Sequence, residues 1–221
     1  MLVYVGQAFL GFALGYLIAS YIESFLHEHV SDAPATRVAQ WSRYPRLFRS
    51  LIKTRFSHHV VHHHLTFRAD YVTQFSSEEE RLRLYKTLKA RGRHGDIILR
   101  GNYANHLHAE GAVVFALPFI LVGLLALWVV PMSFAAGLLP SLALPPLFSY
   151  FVHPYLHMPT DRAERDAPRA IAMLLRTPYA RALRINHFLH HEYHGTSNFN
   201  LVLGADVLRR KARVMTESDL A

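Results

Sequence analysis

The chain has 221 residues, 51% of them hydrophobic and 12% aromatic, which is enough for a single domain, residues 1–221, with a sizeable core. Its 24 Lys and Arg outnumber 16 Asp and Glu, but none falls in residues 1–36 or 101–161; 14 lie from Arg37 to Arg100 and 10 from Arg162 to Arg213. Such blocks argue against a nucleic-acid partner and for a membrane protein, and the absence of cysteine excludes disulfides and thiolate ligands.

The first apolar run, LVYVGQAFLGFALGYLIASYIESFL at 2–26, exceeds the roughly 20 residues that cross a bilayer. It reads as a retained span rather than a cleaved leader, because no basic segment precedes it and no small-x-small cleavage site follows. Glu23 is an acid at membrane depth one turn before His27, and so a candidate to orient that imidazole. Residues 43–67 mix basic and apolar side chains in a way suited to the headgroup level. Within them His59, His62 and His63 stand at i, i+3, i+4, which in an α-helix is one face. His58, His64, His94 and His194 read as supporting or surface positions.

Residues 76–90 open with serines and acids and continue with Leu82, Leu84, Tyr85 and Leu88 at helical spacing, the pattern of a surface helix. The basic residues Arg81, Arg83, Lys86, Lys89, Arg91 and Arg93 fit a loop held inside the membrane boundary by its charge, and also offer a dock for an acidic carrier or anionic lipid. RGRHGD at 91–96 reads as a turn. His106 and His108, just before the next run, are either ligands, substrate-facing or interfacial.

Two further spans are expected at 111–131 and 133–152, joined by a tight turn at Pro131, Met132 and Ser133, with Pro140, Pro145 and Pro146 kinking the second arm. A buried hairpin in a soluble protein is the alternative, and the lack of any charge over 111–152 weighs against it. Basic loops are held inside, so both basic blocks and all 16 histidines fall on the cytoplasmic side. His153 and His157 stand at i, i+4 where the third span leaves the membrane. Residues 168–191 are amphipathic, break near Pro178, and end in His187, His190 and His191, again at i, i+3, i+4.

With His27, these clusters arise at one bilayer depth from helices that pack side by side. Eight or more nitrogens are too many for one tetrahedral ion and suit two metals about 3.5 to 4 Å apart. Imidazole accepts iron, zinc, copper or nickel, so the residues indicate ligands rather than a metal. His191, Glu192 and His194 form HExH, which lacks the four-residue histidine spacing of a zinc protease. A metal transporter would place ionisable groups within the spans, and 111–152 has none. A non-enzymatic, histidine-rich membrane protein holding a metal remains an alternative.

HVVHH at 59–63, HPYLH at 153–157 and HFLHH at 187–191, with spans between them, resemble the histidine boxes of the fatty acid hydroxylase and sterol desaturase superfamily over roughly residues 15–208. The NFN at 198–200 followed by Asp206 is similar to that family's closing segment. The resemblance implies an all-helical integral membrane domain whose cytoplasmic helical cap carries a di-iron site. It further implies dioxygen as co-substrate, an external reductase or small electron carrier, and hydroxylation of an acyl, sterol or isoprenoid chain; desaturation is the close variant, and zinc another occupant. The implied metal ligands are His27, His59, His62, His63, His153, His157, His187, His190 and His191. Where members carry a second histidine in the first box, this chain has Asp32, an oxygen ligand in its place, unless His29 serves. Glu23, His29, His194 and Asn198 are the candidates to support the ligands. The chain departs from the family in having three evident spans rather than four, and VLRRKAR after Asp206 in place of a Gly-Thr pair.

Overall fold

The computed structural model describes residues 2–63, 78–90, 92 and 109–214, and every regular element among them is helical. In chain order these are α1 (Leu2–Leu26), α2 (Ala35–Ser42), α3 (Arg49–Arg55), α4 (Glu78–Ala90), α5 (Ala109–Val129), α6 (Met132–Leu147), α7 (His153–Leu156), α8 (Thr160–Asp166), α9 (Arg169–Leu175), α10 (Pro178–Glu192) and α11 (Ala205–Leu208). Three stretches are long and apolar enough to cross a bilayer: Leu2–Ser31, Ala112–Val129 and Met132–Leu156. The hairpin turn is tighter than its sequence suggests, because Met132 and Ser133 already belong to α6 and only Val130 and Pro131 separate the two helices.

α1 and α6 touch backbone to backbone. A Cβ added at Gly11 or Gly137 would run into the carbonyl of Phe134 or Ala8, and one at Gly15 into the Ser141 hydroxyl. Lipid supplies no hydrophobic drive between helices, so small residues four apart, such as Gly11 with Gly15 and Gly137 with Ser141, allow the dispersion contacts that replace it. α5 completes the layer with Phe115, Phe119 and Ala126 against Ala19, Leu138 and Leu142. The outward faces carry Phe9, Leu124 and Trp128, the last 92% exposed, an apolar surface that hydrocarbon solvates and water does not.

A second core lies beyond the spans, where Val152, Leu156, Ala163, Leu175, Leu183 and Leu201 join α7 to α10. The expected break near Pro178 is present. Thr177 accepts a hydrogen bond from the Ala180 N–H at 3.2 Å and Pro178 takes the first helical position, so α10 begins there. The prolines of α6 do not end it; the irregularity follows them, at Phe148–Val152, where the helix widens.

That widening occurs three times, as π-helical turns at His27–Ser31, Phe56–His62 and Phe148–Val152. In each, the closing N–H reaches back five residues: Asp32 to the His27 carbonyl at 2.8 Å, His63 to His58, and His153 to Phe148. All three closing residues carry side chains able to bind a metal. The first and third turns end or follow apolar stretches, and each of the three is closed by a residue of the donor groups described below.

Candidate metal centre

An i→i+5 turn puts residues four and five apart on one face, where an α-helix puts residues three and four apart. The second π turn therefore turns His58, His62 and His63 inward and leaves His59 outside. The first brings Asp32 beside His27. α10 is a regular helix, so His187, His190 and His191 share its buried face as their spacing predicts. The result is ten buried donors in two groups of five. One is His62, His153, His157, His187 and His191; the other is His27, Asp32, His58, His63 and His190. Within each group one ligand atom per residue lies within 4.8 Å of all the others.

In the all-histidine group the Nε2 atoms of His153, His157 and His187 form a triangle with edges of 2.9, 3.0 and 3.1 Å. A ring nitrogen carries in its plane either a proton or a lone pair, so three in mutual contact cannot all be joined by hydrogen bonds. A cation facing all three satisfies them at once. Nitrogens about 2.1 Å from one ion stand about 3.0 Å apart at right angles and about 3.4 Å apart in a tetrahedron, so contacts of this length suit donors to a shared ion. Burial, then the neighbouring rings, holds His157, His187 and His191 well below the ordinary histidine range, which leaves them neutral and able to donate lone pairs.

In the second group the Nε2 of His58 lies 2.9 Å from that of His27 and 3.1 Å from that of His63. Oδ2 of Asp32 faces the same point, 3.4 Å from His27, 3.5 Å from His58 and 3.4 Å from His190, and it has no hydrogen-bond partner among the described residues. Burial works to raise the Asp32 carboxyl, but His63, His58 and His190 around it outweigh burial and hold it well below the usual carboxylate range. A fully buried carboxylate oxygen without a donor, aimed among histidine nitrogens, fits a metal ligand. Gly195, at φ +69°, presses its backbone on this carboxylate; a Cβ there would be 2.6 Å from Asp32 Cγ. No donor is shared between the groups, so among the described residues no side chain bridges them. His63 and His191 stack across the divide with ring centroids 4.4 Å apart.

The ligands are oriented by a loop that the sequence does not advertise. His27 Nδ1–H donates to the Phe199 carbonyl at 2.6 Å, and His190 Nδ1–H donates to the Ser197 carbonyl at 2.8 Å. Each bond fixes the tautomer that frees Nε2 for an ion. Glu23 does not touch His27, contrary to expectation. Its Oε2 accepts from the N–H groups of Leu201 (3.0 Å) and Val202 (2.7 Å) and from the Asn200 amide (3.1 Å), so it clamps the loop bearing the Phe199 carbonyl. Asp206 accepts from the Asn200 N–H at 2.7 Å and from Ser24 at 2.5 Å, closing the loop against α1.

No protein-family model, curated protein or solved structure matches the chain. The donors themselves therefore carry its reading. Of the ten sequence-derived ligands, nine lie in the two groups: His27, Asp32, His62, His63, His153, His157, His187, His190 and His191. The tenth, His59, stands outside both and donates through Nδ1 to the outer oxygen of Asp32 at 2.9 Å. His58, read from the sequence as a supporting or surface position, lies in the Asp32 group where His59 was expected. His29 is partly exposed beside Glu28 and is in neither group, whereas Asp32 lies in one of them. His194 is exposed in the turn after α10, at φ +49°. Asn198 is buried, but its amide holds Asn186 and the Arg213 backbone rather than a ligand ring. His64, His94, His106, His108, Arg91 and Arg93 lie outside the described residues. The signals for His58 and the loop carbonyls were of different kinds: HHVVHH read at π spacing selects His58, whereas backbone carbonyls leave no mark in a sequence.

Proposed function

We propose that the chain is an integral membrane oxidoreductase that hydroxylates a lipid chain, whether acyl, sterol or isoprenoid. It would use two irons, dioxygen, and electrons from an external reductase or small carrier. The observation that carries this reading is the pair of adjacent five-donor groups, ten buried donors of which His27, Asp32, His153 and His157 stand in or beside the ends of apolar helices. Iron bound there supplies an oxidant able to break an unactivated C–H bond, which no amino-acid side chain can do. The resemblance of the three histidine boxes to those of fatty acid hydroxylases and sterol desaturases supports the same choice.

The chain's own residues have defined tasks in this scheme. The Phe199 and Ser197 carbonyls hold His27 and His190 in the metal-binding tautomer, and Asp32 brings the one negative charge among the donors. Burial of all ten excludes water from the point where a C–H bond would be presented. The distribution of Lys and Arg supports a cytoplasmic face for the centre, where soluble electron carriers are available.

The test is oxygen uptake by purified, iron-loaded protein in lipid with a reductant, together with mass spectrometry of lipids from cells with and without the protein. The proposal expects uptake that requires both lipid and reductant, and a lipid product gaining one oxygen atom. Loss of two hydrogens without added oxygen would make the enzyme a desaturase. Metal binding with neither change would leave a non-enzymatic metal protein.

A further inference from the structure

The two donor groups are alike in size but not in charge. Four imidazoles and the Asp32 carboxylate form one; five imidazoles form the other. A buried dication surrounded only by neutral donors keeps its full charge in a low-dielectric interior, whereas one bound to a carboxylate is partly neutralised. Ligand charge count is a main determinant of cation affinity, and hard oxygen donors favour harder ions.

The surroundings add to the difference. The Asp32 carboxylate is preorganised: the π turn places it, His59 donates to its outer oxygen, and Gly195 packs against it. Within this group His27 and His190 are anchored to loop carbonyls. That loop is in turn fixed by two further buried acids, Glu23 and Asp206. Preorganised donors lose less freedom on binding an ion.

From this asymmetry we infer that the two groups are inequivalent ion sites, the Asp32 group filling first and holding its ion more tightly, and the all-histidine group filling second and releasing first. The inference rests on the proposed function only in taking both groups as ion sites, and it needs neither lipid nor oxygen.

The experiment is a titration of metal-stripped full-length protein with cobalt(II), under anaerobic conditions near neutral pH, followed by absorption spectroscopy and calorimetry. Two resolved steps of one ion each are expected. His157→Ala should weaken or remove the second step and leave the first unchanged. Asp32→Asn should weaken the first by about tenfold or more while the second persists, which also reports that the variant is folded. His157→Ala decides the order by itself, whatever the fate of Asp32→Asn. Uptake of both ions with a single affinity, or loss of the tighter step in His157→Ala, would overturn the inference and leave the hydroxylase reading standing. Two distinct steps in a protein that never consumes oxygen would do the reverse, and no cobalt binding at all would overturn both.

Discussion

His58 puts its Nε2 2.9 Å from that of His27, whereas its neighbour His59 is about a quarter exposed and bonds the outer oxygen of Asp32. Replacing each by alanine should therefore have different results. His58→Ala removes a donor and should cost the protein one of its two ions. His59→Ala should retain both ions but bind the Asp32-group ion about 10- to 100-fold less tightly, the usual effect of losing a hydrogen bond behind a ligand. Metal analysis and titration of the two variants distinguish the outcomes; equal loss in both, or loss only in His59→Ala, would reverse the assignment. Reading the histidines at α-helical spacing selects His59 because nothing in HHVVHH marks a widened turn. Asp32, by contrast, is visible as the residue standing where a ligand belongs.

At the scale of elements, the ligands come from the first two π turns and the residues that close them, from α7 and its end, and from α10, and burial of these histidines has a consequence for stability. Burial, followed by the neighbouring rings and despite Asp32 beside His63, keeps His63, His157, His187 and His191 well below the ordinary histidine range. In the unfolded chain each takes up a proton near pH 6.5, so below that pH the unfolded state binds more protons than the folded one. Metal-free protein should keep its full stability above about pH 6.5 and lose it progressively as the pH falls from there. Thermal unfolding of chelator-treated protein between about pH 5 and 8 checks this, and a melting temperature flat across that range would contradict it. The helices of the cap were legible because Pro178, the acidic start near Glu78 and the apolar periods mark them. The π turns and the loop at 197–206 were not, because their geometry is imposed by tertiary contacts such as Glu23 with the Leu201 and Val202 backbone.

Among the described residues, three apolar helices share one core, a second core joins α7 to α10, and ten buried donors gather in two groups. The spans were readable from uncharged length alone, at 2–26, 111–131 and 133–152, and the structure extends the first and last as far as Ser31 and Leu156, where the turns bearing His27 and His153 continue them. The close contact of α1 with α6 was not readable, since glycines at 11, 15 and 137 have no partner in a linear pattern. Charge distribution predicts that the Pro131 turn faces outward and the cap inward. The chain has no cysteine, so single introduced cysteines report on this directly. In intact cells a membrane-impermeant thiol reagent should label Met132→Cys but not Asp161→Cys, which should react only after permeabilisation; the opposite labelling would invert the topology.

The most direct measurement of the central claim is anomalous X-ray scattering from iron in crystals of the protein loaded with that metal. Two peaks are predicted, one among His62, His153, His157, His187 and His191, and one among His27, Asp32, His58, His63 and His190. A single peak, a peak elsewhere, or no iron in either group would contradict the account.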